Sequence, residues 1–405
     1  MQTNSKLDVY AGERLVGTLA RSQVEEDALL FGYAPDCRAE DAVSLTMPVV
    51  RDQYDSMNGL LPIFDMNLPE GALLERLRLQ FAKIIPNFDS LDLLAIVGQS
   101  QIGRLRYTAE GTTPAALPEQ NLTDLLTYAG AEDLFADLLR RYAEHSGISG
   151  IQPKVLLREA GVLLPRLSHR AATHVVKSFD PREYPELAAN EYFCTCAAQH
   201  AGIPVPSLRL SDNRSILISG RFDLRSDGSY LGCEDFCVLN GLRAHGRYSG
   251  SYEGIAKRIT QFVSLENQAA ALEQFFATIA LSCAIGNGDA HLKNFAVLYE
   301  NPEAPTRLAP SYDLVCTTLY QARDVMALTL GDSKSFADRK RLVTFARTAC
   351  NLTKARIIEV LDRVVAGIKR SIKDMRRYSK EHTDFAPAGA RLSAVFENGA
   401  ARITE

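Results

Sequence analysis

Along residues 7–19 apolar and polar positions alternate, and the alternation breaks at Ala11-Gly12-Glu13, which predicts two short strands joined by a tight turn. From Asn67 to Ile85 the period changes. Pro69-Glu70-Gly71 opens a stretch in which Leu73, Leu74, Leu77, Leu79 and Phe81 recur at helical spacing, and alternation returns from Ile96 to Tyr107. These elements predict a β-rich N-terminal unit joined by helices. Glu110 to Gln120 is rich in Gly, Thr, Pro and Ala without apolar periodicity, which marks a linker.

Beyond the linker, strand-like runs fall at Lys154–Leu157, Thr173–Lys177 and Ser215–Arg221, with one helix predicted between Pro185 and Ala201. This is the pattern of a small sheet with a helix against it. After Gly228 the chain reads as mostly helical, with long amphipathic stretches at Leu265–Ile285 and Leu342–Ser371 and loops at 286–295 and 309–317. No internal repeat or low-complexity tract interrupts it.

The composition is that of a globular chain: 405 residues, 46% apolar and 23% charged, enough for two or three packed units. Apolar runs such as Ala277–Ile285 are shorter than a membrane span, and residues 1–16 lack a basic start followed by an apolar stretch, so the expectation is a cytoplasmic protein without membrane contact. A net charge of -4 argues against nucleic-acid binding by the chain as a whole, and any such contact is expected to be indirect. Of the eight cysteines, the pairs Cys194/Cys196 and Cys233/Cys237 lack CxxC spacing, and buried thiols in a reducing compartment are expected.

The densest chemistry lies in Gly286-Asn287-Gly288-Asp289-Ala290-His291-Leu292-Lys293-Asn294-Phe295, followed by Ser311-Tyr312-Asp313-Leu314. Phosphoryl transfer needs a carboxylate to orient or accept a hydroxyl proton, and oxygen ligands to hold magnesium against phosphates. Asp289 and Asn294 reproduce the step of the kinase catalytic loop H-R-D-x-x-x-x-N, and Asp313 follows where the metal-binding aspartate of D-F-G would stand. Asp and Asn also cap helices and close turns, so this spacing decides nothing alone.

Upstream residues complete the set. Ser146-Gly147-Ile148-Ser149-Gly150-Ile151-Gln152-Pro153-Lys154 is a small-residue loop entering a strand, able to bring backbone N–H groups close to phosphate or to serve as a plain hairpin loop. Lys177 ends an apolar strand and Glu191 lies on the following predicted helix, where the two would pair as a kinase lysine and glutamate do, or sit on the surface separately. Gly220-Arg221-Phe222-Asp223 ends a strand suited to flank a nucleoside, or to be solvated.

As an ordered set, the Ser-Gly-Ile-Gln-Pro-Lys loop, Thr173–Lys177, Asn190-Glu191-Tyr192-Phe193-Cys194, Arg221-Phe222-Asp223, Glu234-Asp235, the 288–295 stretch and Tyr312-Asp313-Leu314 resemble the HipA family of bacterial kinase toxins. The resemblance implies an α+β, two-lobed protein-kinase-like fold: a β-rich N-terminal subdomain over 1–110, an N-lobe core over 120–225 and a mostly α-helical C-terminal lobe over 226–405. It implies ATP and Mg2+ as cofactors, with Asp289 as catalytic base, Asn294 and Asp313 as metal ligands, and His291 supporting the catalytic loop. Ser149, Gly150, Lys154, Lys177, Gly220, Phe222 and Asp223 would then line the nucleotide site.

The same resemblance implies a serine/threonine kinase that phosphorylates an aminoacyl-tRNA synthetase, pairs with a HipB-like DNA-binding antitoxin, and silences itself by autophosphorylation of a loop serine. Gly147 stands where serine is usual in that loop, which leaves Ser149 as the first candidate and Ser146 as the second. A small-molecule kinase of the same fold, or a non-catalytic interaction or repressor module, are the rival readings. Intact Lys177, Asp289, Asn294 and Asp313 weigh against the second.

Overall fold

The computed structural model describes residues 6–22, 28–51, 53–57, 59–81, 85, 87–112, 119–127, 138, 141–149, 154–160, 172–179 and 182–405. Two compact units account for the chain, one built from residues 1–178, 211–245 and 297–306, the other from 179–210, 246–296 and 307–405. The chain therefore enters each unit more than once.

In the first unit, β1 (Lys6–Ala11) turns at Gly12, with φ +63°, into β2 (Arg14–Arg21), as the alternation predicts. With β3 (Leu29–Tyr33), β4 (Gln53–Ser56) and β5 (Leu105–Ala109) they form an antiparallel sheet in the order β4-β3-β2-β1-β5. The inward residues Leu7, Val9, Val16, Leu19 and Phe31 pack against Leu73 and Leu77 of the Gly71–Phe81 helix and Leu91 and Leu94 of the Ser90–Val97 helix. Period-2 strands and period-3.6 helices each turn one apolar face to this core. The strand expected to begin at Ile96 begins instead at Leu105. Asp89 caps the Ser90–Val97 helix through Leu91 N and Asp92 N, and Ile96 and Val97 form its last turn.

A second sheet of the same unit contains β6 (Glu119–Gln120), parallel to β7 (Lys154–Glu159), then β8 (His174–Ser178) and the Ile216–Gly220 strand, both antiparallel to their neighbours. One face, carrying Val155, Leu157, Val176, Ile216 and Ile218, is packed with Leu122, Leu125 and Tyr142. Gly150 and residues 151–153 of the loop leading into β7, and residues 113–118 of the linker, lie outside the described residues.

The second unit is helical. The Leu187–His200 helix packs on Lys354–Glu381, which packs on Ala386–Thr404, which packs on Leu265–Ile285. The predicted amphipathic stretch from Leu342 to Ser371 is two helices, Arg339–Thr348 and Lys354–Glu381, not one. Asn351 turns left-handed there, with φ +53°, and Thr353 caps the second helix through Arg356 N. Leu265–Ile285 is long and apolar enough to cross a membrane by length and composition, contrary to the sequence expectation, but nearly all of it from Ala271 onward is buried in the unit's core. None of the eight cysteines, all among the described residues, forms a disulfide, and burial raises the pKa of Cys194, Cys233 and Cys316.

Candidate active site

In the second unit, the Leu265–Ile285 helix ends at Gly286, whose φ of +68° closes it in the left-handed conformation. A Cβ there would stand 2.2 Å from Thr318 Oγ1, so glycine is required on both counts. The loop that follows is held by its own polar groups. Asp289 N donates to Asn287 Oδ1 at 3.0 Å, Asn294 Nδ2 donates to the Asp289 carbonyl at 3.1 Å, and Tyr252 Oη donates to the Ala290 carbonyl at 2.9 Å.

Asp313 follows on a short stretch without regular structure and holds φ +54°, a conformation that costs a non-glycine residue energy and is kept only where its surroundings fix it. Those surroundings are visible. Ser311 N donates to the Pro204 carbonyl at 2.8 Å and Ser311 Oγ lies 2.7 Å from Thr278 Oγ1. Tyr312 Oη donates to the Lys293 carbonyl at 2.7 Å, tying this stretch to the catalytic-loop candidate. Asn190, 1% exposed, bridges the Cys316 backbone, accepting from its N at 2.9 Å and donating to its carbonyl at 3.0 Å.

Three residues that sequence reasoning passed over complete this arrangement. Tyr248 Oη donates to Asp289 Oδ1 at 2.9 Å, while its ring meets that of His291 edge-on, with centroids 5.2 Å apart. Thr317 Oγ1 accepts from Gly288 N at 2.8 Å and is hydrogen-bonded to Asp324 Oδ2. A Cβ on Gly288 would lie 2.1 Å from that same Asp324 oxygen. Tyr248, Thr317 and Asp324 stand far from Asp289 along the chain and in no periodic pattern, so only the fold reveals them.

The electrostatics suit a base. The protein packed around Asp289 raises its pKa above the usual carboxylate range, the Tyr248 hydrogen bond pulls it down, and the charge of Asp313 pushes it up again. A cation between Asp289 and Asp313 would relieve that repulsion. His291 is buried, with its pKa driven down to about 3 by burial first and then by Arg247. Its imidazole is neutral at physiological pH, so the 3.9 Å approach of Nε2 to Asp289 Oδ1 is no ion pair there. The ring stands beside Asp289 and Tyr248 as a neutral group.

In the first unit the register sets Lys154 directly opposite Lys177 across β7 and β8, which places both on one sheet face with Leu217 beside Lys177. Both lysines are buried, 5% and 4% exposed. Like charges directly opposite each other in a sheet destabilise it unless anionic charge is set with them. Glu191 of the second unit is likewise buried.

The Arg221-Phe222-Asp223 segment departs from its expectation. Asp223, 1% exposed, takes Arg221 Nε on Oδ1 at 2.9 Å, and Arg221 Nη2 at 2.5 Å and Gly103 N at 2.6 Å on Oδ2. Burial alone would raise its pKa, but Arg221 outweighs that and holds the carboxyl below its ordinary value. Both oxygens are thus engaged in a clamp between this segment and the start of β5, and neither is left open toward a nucleoside as expected of Asp223. Gly220 sits at the strand end, paired with His174.

The loop serines differ sharply. Ser146 is fully buried, donating to the Tyr142 carbonyl at 2.6 Å and accepting from Leu156 N at 2.9 Å, whereas Ser149 is partly exposed. Gly147 is forced by packing. Its N donates to the Ser100 carbonyl at 2.9 Å, and a Cβ would fall 2.4 Å from Gln101 Cγ.

The comparisons with known proteins bear on this arrangement directly. A family model described as the HipA-like C-terminal domain matches residues 146–372, more than half the chain, and one described as the HipA N-terminal domain matches residues 7–108. The chain belongs to the HipA family. The Sinorhizobium fredii protein named "Putative kinase Y4mE" is 29% identical over 395 residues, covering 91% of this chain and 92% of its own. A second from that organism, Y4dM, is 26% identical over 357 residues and covers 82% of each chain. A chain of the Shewanella oneidensis toxin–antitoxin complex of HipA, HipB and operator DNA superposes with a TM-score of 0.70 over 98% of both chains. At 17% identity that likeness speaks for the fold, which is the two-lobed, kinase-like architecture of HipA.

Proposed function

We propose that this HipA-family chain is an ATP-dependent serine/threonine protein kinase that arrests growth as the toxin of a toxin–antitoxin module. The observation that supports the reading most is the meeting of Asp289, Asn294 and Asp313 around one loop, with Asp289 raised in pKa and exposed over about half its side chain, at 47%. A carboxylate so placed can accept a proton from an incoming hydroxyl.

The donor set fits magnesium. Among the described residues no cluster of three or more His, Cys, Asp or Glu side chains is built to cage a metal. Magnesium in phosphoryl-transfer sites asks for one or two carboxylates, with phosphate oxygens and water filling its remaining positions. Asp313 and the Asn294 amide oxygen would hold it, and MgATP would supply the transferable phosphoryl group and screen its charge. Asp289 would orient the acceptor hydroxyl and take its proton, His291 would brace that carboxylate as a neutral ring, and Asn294 would fix the loop through the Asp289 carbonyl. In the first unit Lys154 and Lys177, opposed across two strands, offer the paired cations that phosphate oxygens fit. Backbone at Gly220 and the Phe222 ring are assigned to the nucleoside.

An aminoacyl-tRNA synthetase is the target class we assign, and a HipB-like antitoxin the partner through which DNA is met indirectly in the cytoplasm. The kinase names of the relatives and the likeness to a HipA chain solved with HipB and operator DNA support the class of activity and the partner. Autophosphorylation is assigned to Ser149, because Ser146 is buried and bonded on both sides. The test is labelled ATP with magnesium and host lysate, run on wild type and Asp289→Asn, with labelled peptides mapped. Label on one synthetase and on the Ser149 peptide, lost in the variant, is the expected result. ATP binding without transfer to any protein would overturn the protein-kinase reading.

A further inference from the structure

The hydroxyl that meets Asp289 in this structure belongs to the protein itself. Tyr248 Oη stands 2.9 Å from Asp289 Oδ1, inside the range from which a general base takes a proton. On the proposal above, that is the position of the serine or threonine acceptor. We propose that Tyr248 is a built-in occupant of the acceptor subsite, which an incoming hydroxyl-bearing peptide must displace.

Its setting supports a replaceable contact over a fixed one. Tyr248 is 47% exposed, so nothing in its burial demands that its phenol be tied to a carboxylate. It stands on an arm with an anchored base and an open tip. Arg247 O accepts from Leu292 N at 3.1 Å and Ser249 N donates back to Gly246 O at 3.0 Å, while residues 248–250 are exposed and Gly250 holds φ +115°. A glycine in that conformation lets the arm end in a sharp turn. The arm is thereby fixed beside the catalytic-loop candidate, and its tip is exposed. The His291 ring lies edge-on to Tyr248 beside the same carboxylate. The substrate this implies presents its hydroxyl from an exposed turn like that of residues 246–249, which suits a protein surface better than a small metabolite.

The inference rests on the kinase reading, and the test separates the two. A degenerate serine/threonine peptide library is titrated by fluorescence anisotropy onto protein loaded with a non-hydrolysable ATP analogue, so that occupancy is read without transfer. ADP release with ATP is measured in parallel and tests the kinase reading by itself. Tyr248→Phe keeps the ring and removes the competing hydroxyl, and peptide binding is expected to tighten roughly threefold to tenfold, the span of one net hydrogen bond. Tyr248→Ala, which clears the ring as well, is expected to tighten it at least as much. Unchanged or weaker peptide binding in both variants, or no peptide binding at all, would overturn the proposal, and in the first case would make Tyr248 a positioning residue that holds Asp289.

Discussion

Replacing Asn190 by alanine tests how the metal-ligand candidate is held. The Asn190 side chain is 1% exposed and satisfies both backbone groups of Cys316, accepting from its N at 2.9 Å and donating to its carbonyl at 3.0 Å. Alanine leaves a buried donor and a buried acceptor unpaired, each costing about 1–3 kcal/mol. Alanine's better helix propensity returns about 0.6 kcal/mol, since Asn190 lies within the Leu187–His200 helix. The net loss is roughly 2–5 kcal/mol, a large fraction of a typical domain's stability. Equilibrium urea unfolding followed by far-ultraviolet circular dichroism reads it as a lowered midpoint. Asn190→Asp, which keeps the acceptor and loses only the donor, should fall at a different midpoint from alanine. Asp313 stands three residues before Cys316, so magnesium-dependent nucleotide binding should weaken in the alanine variant even at temperatures where it is folded. An alanine variant within about 0.5 kcal/mol of wild type, the range of an indifferent surface change, would refute the argument. It would mean that water or a backbone shift satisfies Cys316 instead.

Asp289→Asn is expected to abolish phosphotransfer while raising thermal stability at neutral pH. The folded-state pKa of Asp289 is raised, so folding disfavours its charged form. That penalty is absent below the ordinary aspartate range and grows as pH rises through the folded value, so the stability gain should vanish in acid; equal melting temperatures at neutral pH would contradict this. His291 should show no ring titration by NMR between about pH 5 and 8, and its contribution to stability should be lost as pH falls from the ordinary 6.5 toward about 3, because the unfolded chain takes up the proton first. A ring that titrates near 6.5 would remove the neutral-brace role. Gly147→Ala should push the 146–149 segment off Gln101, at about 1–3 kcal/mol for the overpacking, seen as faster amide exchange at Gly147; unchanged exchange would show that Gln101 simply moves aside.

The strands at the start of the chain were legible from alternation, because each turns an apolar face to one core, and the 187–200 and 265–285 helices from apolar stretches too long for a strand, which the fold buries on nearly every side. The D-x-x-x-x-N step and the distant Asp313 were legible because the chemistry of phosphoryl transfer constrains residue type and chain order. Local signals failed at Ile96 and Val97, where the last turn of the Ser90–Val97 helix occupies the start of an expected strand, and at Asn351, where a left-handed residue divides an amphipathic run in two.

Other features belonged to the tertiary structure alone. That Asp223 is spent on Arg221 and Gly103, that Ser146 is sealed while Ser149 is partly exposed, and that Lys154 stands opposite Lys177 all follow from pairings between segments far apart in the chain. The same holds for Tyr248 and Asp324, brought to Asp289 and Gly288 across tens of residues. Sequence determines which groups are available and the period on which each element folds. Which donor meets which acceptor, and which of them keeps an open side, is set only when distant elements pack, because burial and hydrogen-bond partnership are properties of neighbours in space.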